Sequence, residues 1–257
     1  EYIDSVPEKK LGLINVHLYR PFSSRHLAEK LPQGVRRITV LDRTKEPGSA
    51  GEPLYLDVVA ALVQCGIPAS SMPACPGSAS ASASAVVSDL ADQCPTAKKG
   101  VSPIRVFSGR YGLSSKDTTP AQIAAIYENR SQPFFTVGIT DDVTHLSLDM
   151  PPIPPTAPKD IVSCKFWGLG GDGTVSATKN AIKIIGNHTD MTAQGYFEYD
   201  SKKSRGLTIS HLRFGKSPIR SAYLIHNADF VACHNPVYLH KYDMAQELKD
   251  GGTFLLN

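Results

Sequence analysis

The chain has 257 residues, of which 41% are hydrophobic and 20% charged, and its formal net charge is +3. This composition is ordinary for a globular protein, and the length allows one large domain or two of common size. No apolar run approaches the roughly 20 residues that span a bilayer, and the basic residues stand in pairs rather than in a tract. The sequence therefore argues against a membrane protein and gives no support to nucleic-acid binding.

The five cysteines form no C-x-x-C pair and no compact array. They are Cys65, Cys75, Cys94, Cys164 and Cys233. An odd, scattered set is typical of reduced thiols inside a cell. Residues 1–10 mix acidic and basic charges and show no secretory signal. We expect an intracellular protein, either cytoplasmic or in an organelle such as a plastid or a mitochondrion-related organelle.

The first half of the chain alternates predicted strands and helices. Strands are predicted at residues 11–18, 37–41, 104–107 and 134–139, and helices at 25–31, 53–66 and 120–129. Ser23 or Ser24 suits a helix N-cap, and Pro53 and Pro120 suit first helical positions. Strands that alternate with helices predict a parallel α/β sheet.

Two stretches of biased composition interrupt this pattern. Residues 67–101 are rich in Ser, Ala and Pro, and alternate Ser with Ala from 78 to 85. Such a stretch cannot build a core, so it predicts a mobile surface insertion. Residues 149–159 are dense in proline and predict an extended linker. We therefore expect one domain over residues 1–148 and a second over residues 160–257.

The second domain begins with a strand, a helix and another strand, which predict a βαβ unit. These elements are placed at residues 161–167, 174–185 with Gly186 as the stop, and 193–199. A half-exposed strand at 207–214, a buried strand at 230–233 and a helix at 237–249 follow, before a new strand at 253–257. The predicted fold class is α/β, with two three-layer domains of mostly parallel sheet and the second truncated at its C-terminal end.

A glycine-rich turn joins the first strand and helix of the second domain. Gly168, Gly170 and Gly173 satisfy the pattern G-x-G-x-x-G in the strand–turn–helix context that this pattern requires. Glycines let the backbone approach an anion closely, and the first turn of a helix offers unpaired N–H groups and a positive dipole end. The sequence therefore predicts a phosphate-binding turn.

The residues after the next predicted strand narrow the choice of phosphate ligand. Asp200 could hold ribose hydroxyls, but Lys202 and Lys203 follow it. Two ammonium groups favour a phosphorylated ribose, as in coenzyme A or NADP, over plain NAD. Spacing alone supports coenzyme A and an NADP-type dinucleotide equally, and a turn that only packs helix against sheet stays open as well.

The residue sets that other cofactors or reactions would need are incomplete. Gly171-Asp172-Gly173 resembles the start of the metal–diphosphate motif of thiamine enzymes, but no asparagine stands near Asp200 to complete it. Cys233, His234 and His240 lack a second pair at zinc-like spacing, and no G-x-S-x-G turn is present. We assign no catalytic and no metal-binding residue.

Eight motifs in order along the chain resemble pyruvate:ferredoxin (flavodoxin) oxidoreductase. They are residues 19–23 (YRPFS), 40–48 (VLDRTKEPG), 109–116 (GRYGLSSK), 137–144 (VGITDDVT), 166–170 (FWGLG), 179–186 (KNAIKIIG), 194–203 (QGYFEYDSKK) and 209–213 (ISHLR). Apart from the Ser/Ala insertion, the resemblance covers nearly the whole chain. It implies an oxidoreductase that decarboxylates pyruvate with thiamine diphosphate and Mg²⁺. Electrons pass through 4Fe-4S clusters to ferredoxin or flavodoxin, and the acetyl group goes to coenzyme A.

The same resemblance implies what each part of the chain contributes. Residues 1–148 would be a transketolase-C-like domain, and residues 160–257 the first part of a gamma-type, coenzyme A-binding domain. The thiamine and cluster sites would lie in the remaining domains of a homodimeric enzyme, so this chain alone would be inactive. The implied coenzyme A contacts are Gly170, Gly171, Asp172, Gly173 and Thr174, whose N–H groups face the diphosphate, and Lys202, which pairs with a phosphate oxygen. Lys203 is a weaker candidate. The resemblance favours coenzyme A over the NADP-type ligand.

Overall fold

The computed structural model describes residues 1–70, 103–140, 142–200 and 206–257. These residues form two compact units. Residues 2–154 make the N-terminal unit, and residues 155–257 together with Glu1 make the C-terminal unit. The division falls between Pro154 and Pro155, within the proline-rich stretch.

The described part of the N-terminal unit contains a sheet of four parallel strands with β3 at its centre. The strands are β1 (Arg37–Asp42), β2 (Ala69–Ser70), β3 (Ile104–Arg110) and β4 (Phe134–Thr136). The helices are α1 (Tyr2–Ser5), α2 (Ser24–Lys30), α3 (Pro53–Gln64) and α4 (Pro120–Glu128), with a 3₁₀ turn at Leu113–Ser115. β1 pairs with one side of β3, and β2 and β4 pair with the other.

Alternate side chains of β3 enter two different cores. Ile104 and Val106 pack in a cluster with Val58 of α3, whereas Phe107 packs with Ile126 of α4. Successive side chains of a strand point to opposite faces, so helices cover both faces of this sheet. The predicted three-layer α/β arrangement is confirmed for this unit.

Two of the three helices predicted in this unit begin at the predicted residues, Pro53 and Pro120, and α2 begins one residue earlier than predicted, at Ser24; α1 was not predicted. Ser23 accepts a hydrogen bond from the N–H of His26, and Thr119 accepts one from the N–H of Gln122. Pro53 opens α3, which has no side-chain cap of its own at the N-cap residue Glu52. Local capping signals were therefore sufficient to place these helix starts.

A carboxylate from the end of β1 caps α3 instead. Asp42 is buried and accepts hydrogen bonds from the N–H groups of Leu54 (3.0 Å) and Tyr55 (3.1 Å). Glu52 is buried beside it and accepts from Arg110 Nε at 2.5 Å. A negative charge at a helix N-terminus is stabilising, so Asp42 ties strand and helix together.

The C-terminal unit contains a mixed five-stranded sheet in the order β6-β7-β5-β8-β9. Its strands are β5 (Val162–Leu169), β6 (Thr192–Tyr199), β7 (Leu207–Gly215), β8 (Ala228–Cys233) and β9 (Leu248–Leu256). Helix α5 (Thr174–His188) follows β5, and 3₁₀ helices cover Pro236–His240 and Ala245–Glu247. β7 is antiparallel to both neighbours, and the β5–β8 and β8–β9 pairs are parallel.

This topology confirms the α/β class and modifies its details. Two of the four strand pairs are antiparallel, so the second sheet is mixed rather than mostly parallel. The predicted βαβ unit is split, because β7 lies between β5 and β6. The strand predicted as half-exposed, β7, lies inside the sheet between β6 and β5, and Ser210, His211 and Arg213 in it are buried.

Three element predictions were wrong. Residues 11–18 form no strand: Leu13 and Leu18 are 75% and 71% exposed, and no described strand pairs with them. The helix predicted at 237–249 is replaced by the two 3₁₀ helices and by β9, which begins at Leu248. The helix predicted to stop at Gly186 continues to His188.

Packing explains these differences. Tyr238 and Met244 are buried against the sheet at a spacing that a short 3₁₀ turn and a loop provide. β9 then pairs with β8, with a register irregularity between Ala228 and Phe230. The insertion predicted from residue 67 begins later, because Ile67 is a buried core residue and Ala69–Ser70 form β2; residues 71–102 lie outside the described residues.

A buried histidine joins β6 and β7. His211 is 2% exposed, and its Nε2 lies 2.5 Å from Glu198 Oε1. Its Nδ1 accepts a hydrogen bond from the N–H of Ile225 at 3.2 Å, so the ring proton belongs on Nε2, which donates to Glu198. Burial lowers the pKa of His211 although Glu198 opposes the shift, and His211 lowers the pKa of Glu198.

We predict that Asp42→Ala lowers the free energy of unfolding of the N-terminal unit by about 1–2 kcal/mol, because two helix N–H groups lose their acceptor. Asp57→Ala is the matched control, since Asp57 is on the same helix and forms an exposed ion pair with Arg20; it should cost at most about 0.5 kcal/mol. Urea unfolding measures both changes, and equal losses would contradict the capping role.

We predict that the C-terminal unit loses stability as pH falls from about 7 to 5. The folded pKa of His211 lies below that of the unfolded chain, so protons bind preferentially to the unfolded state below about pH 6.5. His211→Gln should flatten this dependence while lowering stability at pH 7. His188→Gln, at an exposed position on α5, should leave the dependence unchanged. Denaturant unfolding at several pH values tests this, and an unchanged slope in His211→Gln would count against it.

Candidate anion-binding site

The glycine loop, which we define as residues 168–174, lies where β5 ends and α5 begins. β5 and β8 are parallel, so their carboxyl ends meet at one edge of the sheet. From β5 the chain leaves through α5 toward β6 on one side, while β8 lies on the other. Ligands of open α/β sheets bind at such points, where successive connections diverge.

The glycines of the loop have different structural roles. A Cβ atom at Gly168 would lie 2.5 Å from Thr174 Oγ1 and 2.9 Å from Asp172 Oδ2, so only glycine fits there. Gly171 and Gly173 have φ angles of +96° and +92° and open space around them, so they are required for backbone conformation. The loop is thus shaped by one close approach and two left-handed residues.

Asp172 holds the loop from within. Its carboxylate accepts hydrogen bonds from the N–H of Leu169 (2.7 Å) and the N–H of Thr174 (2.8 Å). Partial burial would raise the pKa of Asp172, but these bonds, assisted by the charge of His234, keep that pKa below its usual value. The carboxylate therefore stays ionised and organises the loop.

The loop N–H groups divide into two sets. Gly170 donates to the carbonyl of Gly206 (2.7 Å), and Asp172 donates to the carbonyl of Leu169 (2.9 Å). Within the described residues, four further N–H groups at this turn have no protein acceptor. They belong to Gly171, Gly173, Val175 and Ser176. This second set is available to an anion at the positive end of α5.

The predicted contact residues are therefore brought together but do not all offer a free donor. Gly171 and Gly173 do, whereas the N–H groups of Gly170, Asp172 and Thr174 already have protein acceptors. The predicted set omitted Val175 and Ser176. Their signal was present in the sequence, since the first helical turn always carries unpaired N–H groups.

Lys202 and Lys203 lie outside the described residues. The residues on either side of that segment are at the loop edge of the sheet. Asp200 donates its N–H to the carbonyl of Leu207 (2.9 Å), and Gly206 accepts the N–H of Gly170. The contact of Lys202 with a phosphate therefore stays a prediction.

Other chemistry-bearing side chains near this edge are engaged in the fold. Cys233 is buried, with its Sγ 3.1 Å from the carbonyl of Asn235. Near the other end of β5, burial raises the pKa of the Cys164 thiol to about 11. No group of three metal-ligating side chains occurs among the described residues. Nor does any helix in the described ranges have the length and apolar character needed to cross a membrane.

Comparison with known proteins identifies the family. A family model described as pyruvate ferredoxin/flavodoxin oxidoreductase matches residues 163–257. The pyruvate:ferredoxin oxidoreductase of Moorella thermoacetica is 50% identical over 263 residues, which cover 100% of this chain and 20% of that protein. The probable pyruvate-flavodoxin oxidoreductase of Escherichia coli is 49% identical over 255 residues, covering 97% and 19%. The chain belongs to the pyruvate ferredoxin/flavodoxin oxidoreductase family.

The chain spans about a fifth of the length of each of these two relatives. The pyruvate dehydrogenase (NADP(+)) of Cryptosporidium parvum is 45% identical over 265 residues, covering 100% of the chain and 12% of that protein. Among solved structures, a pyruvate oxidoreductase subunit of Thermotoga maritima is 20% identical. The match covers 38% of this chain and 51% of that subunit, with a TM-score of 0.32.

We predict that Gly168→Ala destabilises the C-terminal unit by about 1–3 kcal/mol, because the added methyl group forces Thr174 and Asp172 away from β5. Gly186→Ala is the matched control. That glycine is exposed, lies inside α5 and has open space around its Cβ position, so alanine should stabilise the unit by about 0.5–1 kcal/mol. Thermal unfolding of both variants measures these effects, and a neutral Gly168→Ala would refute the close packing.

Proposed function

We propose that the chain is a segment of an enzyme that oxidatively decarboxylates pyruvate to acetyl-coenzyme A. Electrons would pass to ferredoxin or flavodoxin. Identities of 50% and 49% over essentially the whole chain support this activity, since the two relatives are named for it. The segment itself supplies scaffold and part of the coenzyme A site.

The observation that carries the coenzyme A proposal is the set of four N–H groups without protein acceptors, in a loop held open by Asp172. A diphosphate brings several anionic oxygens to one place and matches such a set. Gly171, Gly173, Val175 and Ser176 would donate to the diphosphate, while Gly170, Asp172 and Thr174 keep the loop in shape. Lys202 would pair with a phosphate oxygen.

The relatives also bear on the choice between coenzyme A and an NADP-type ligand. Proteins named for ferredoxin, flavodoxin and NADP(+) match this chain at 50%, 49% and 45% identity. A segment that stays so similar while the named electron acceptor changes would serve the pyruvate reaction that all three names share. Coenzyme A, which receives the acetyl group, fits that common role, and NADP does not.

The internal hydrogen bonds of the loop favour one alternative, in which the loop binds no ligand. Three of the predicted donors are satisfied by protein atoms, and Gly168 is explained by packing alone. In this second proposal the loop only joins α5 to β5, and the C-terminal unit serves as a docking module for other domains. Ligand binding separates the two.

The full enzyme would need groups that this segment does not provide. Thiamine diphosphate with Mg²⁺ would act on pyruvate, and 4Fe-4S clusters would carry the electrons, all held by remaining domains of a homodimeric protein inside the cell. The N-terminal unit would be the transketolase-C-like domain, and the C-terminal unit the gamma-type domain. Near the glycine loop, the described residues supply backbone N–H donors, and the thiol of Cys233 is held against the carbonyl of Asn235.

We predict that coenzyme A binds the chain and that Lys202→Ala weakens this binding by about 1.5–3 kcal/mol, or about 10- to 150-fold. Lys183→Ala, at an exposed position on α5, is the matched control and should change affinity less than twofold. Calorimetric titration with coenzyme A, dephospho-coenzyme A and NADP measures these affinities. Weaker binding of dephospho-coenzyme A would indicate recognition of the 3′-phosphate.

Two outcomes would overturn the proposal. Tighter binding of NADP than of coenzyme A would assign the loop to a dinucleotide. A folded chain that binds none of the three ligands would favour the docking module. Circular dichroism and unfolding curves of each variant verify that a lost signal reflects the site and not the fold.

A further inference from the structure

Four arginines gather at the amino edge of the sheet in the N-terminal unit. We call them the arginine patch, and they are Arg36, Arg37, Arg105 and Arg130. Arg37 and Arg105 are register partners on β1 and β3, and the N–H of Arg105 donates to the carbonyl of Arg36 at 2.9 Å. Arg105 Nη2 donates to the carbonyl of Arg130 at 3.0 Å.

Part of this arrangement serves the fold. The guanidinium of Arg37 donates to the carbonyls of Tyr127 and Asn129, at the C-terminal end of α4. The guanidinium groups of Arg105 and Arg37 also lie 5.1 and 5.9 Å from the ring centre of Phe107. Cations stabilise a helix C-terminus because its last carbonyls are unpaired. These contacts explain the position of Arg37 and one donor of Arg105.

Among the described residues, carboxylates do not balance the charges of the arginine patch. No carboxylate in the described ranges forms an ion pair with any member of the arginine patch, although ion pairs such as Arg110–Glu52 and Lys249–Asp229 are present there. Burial lowers the pKa of Arg37, and the nearby charges of Arg130 and Arg105 lower it further. Arg36, Arg105 and Arg130 are exposed. Within the part of the chain that the structure describes, the patch therefore holds several N–H donors without an acceptor and a local positive charge.

A cleft of about 440 Å³ adjoins the patch at Arg130. Leu148 and Met150 give it apolar walls, and Met150 is 53% exposed. Two carboxylates also border the cleft. Glu128 forms an ion pair with Lys9 at 3.1 Å, and Asp149 lines the cleft next to Met150. The neighbourhood thus combines guanidinium groups with an apolar hollow.

We propose that the arginine patch is a docking surface for a partner protein that presents an acidic surface. Guanidinium groups bind carboxylates in bidentate fashion, and arginine is enriched at protein interfaces. Charge complementarity steers such partners and fixes their orientation.

A nucleic-acid partner fits the patch less well. A protein surface that binds nucleic acid usually carries a long basic stripe along the phosphate backbone. The arginine patch is compact, and the chain carries a net charge of only +3. Asp149, which borders the cleft, would repel phosphates, and the apolar walls would make no favourable contact with them. Both features suit a protein surface with a few carboxylates and an apolar side chain.

A labelled oligoglutamate peptide serves as the probe, titrated against the full chain by fluorescence anisotropy at low ionic strength. The test variant is Arg36→Glu/Arg130→Glu, because no described contact depends on either side chain. The control is Lys45→Glu/Lys116→Glu, which makes the same charge change at exposed residues that follow β1 and β3 at the carboxyl edge. We expect saturable binding that falls at least tenfold in the test variant and less than twofold in the control.

Three results would overturn the proposal. These are no binding by the parent chain, an equal loss in both double variants, and tighter binding of a DNA duplex of equal charge. The last would assign the patch to nucleic acid. Unfolding curves of the double variants establish that the fold is intact before binding is compared. Because coenzyme A is absent from this experiment, its outcome is independent of the glycine loop.

Discussion

The close approach of α5 to β5 at Gly168 sets the shape of the whole loop edge in the C-terminal unit. Without a Cβ atom there, Thr174 and Asp172 can pack directly against the end of the strand. Asp172 then reaches the N–H groups of Leu169 and Thr174 and locks the turn. The remaining N–H groups are fixed in place before any anion arrives, so binding would cost little conformational entropy.

The mixed sheet brings distant parts of the sequence to that edge. Because β7 is antiparallel to β5, its first residues lie beside the last residues of β5, and Gly206 meets Gly170. β6 ends at the same edge, since Tyr199 pairs with Thr208 near the start of β7. Asp200 and Gly206, some thirty residues after the glycine loop, thus reach the same edge through topology rather than through spacing. The spacing rule for dinucleotide sites assumes a parallel neighbour and does not apply here.

Local chemistry made much of this fold predictable, and pairing made the rest unpredictable. Ser23, Thr119 and Pro53 marked helix starts because capping depends on neighbouring residues only. Residues 237–249 carry a helix-like pattern, but burial of Tyr238 and Met244 across the sheet outweighs it. The glycine loop was predictable from Gly168, Gly170 and Gly173. The division of its N–H groups was not, because it depends on where the Asp172 carboxylate and the Gly206 carbonyl lie in space.

The distribution of charge separates folding from function in this chain. Inside the C-terminal unit, the buried ammonium of Lys165 pairs with Glu247, and the neutral ring of His211 donates a hydrogen bond to the Glu198 carboxylate. In the N-terminal unit, Glu52 pairs with Arg110, and the Asp42 carboxylate accepts hydrogen bonds from two N–H groups at the N-terminus of α3. A buried charge left alone is costly, so these pairings are conditions of folding. The arginine patch follows another pattern, since backbone carbonyls take some of its donors while its charges accumulate without described carboxylates. Because the described buried charges elsewhere in the fold are paired, we infer that the exposed part of this local excess serves a partner.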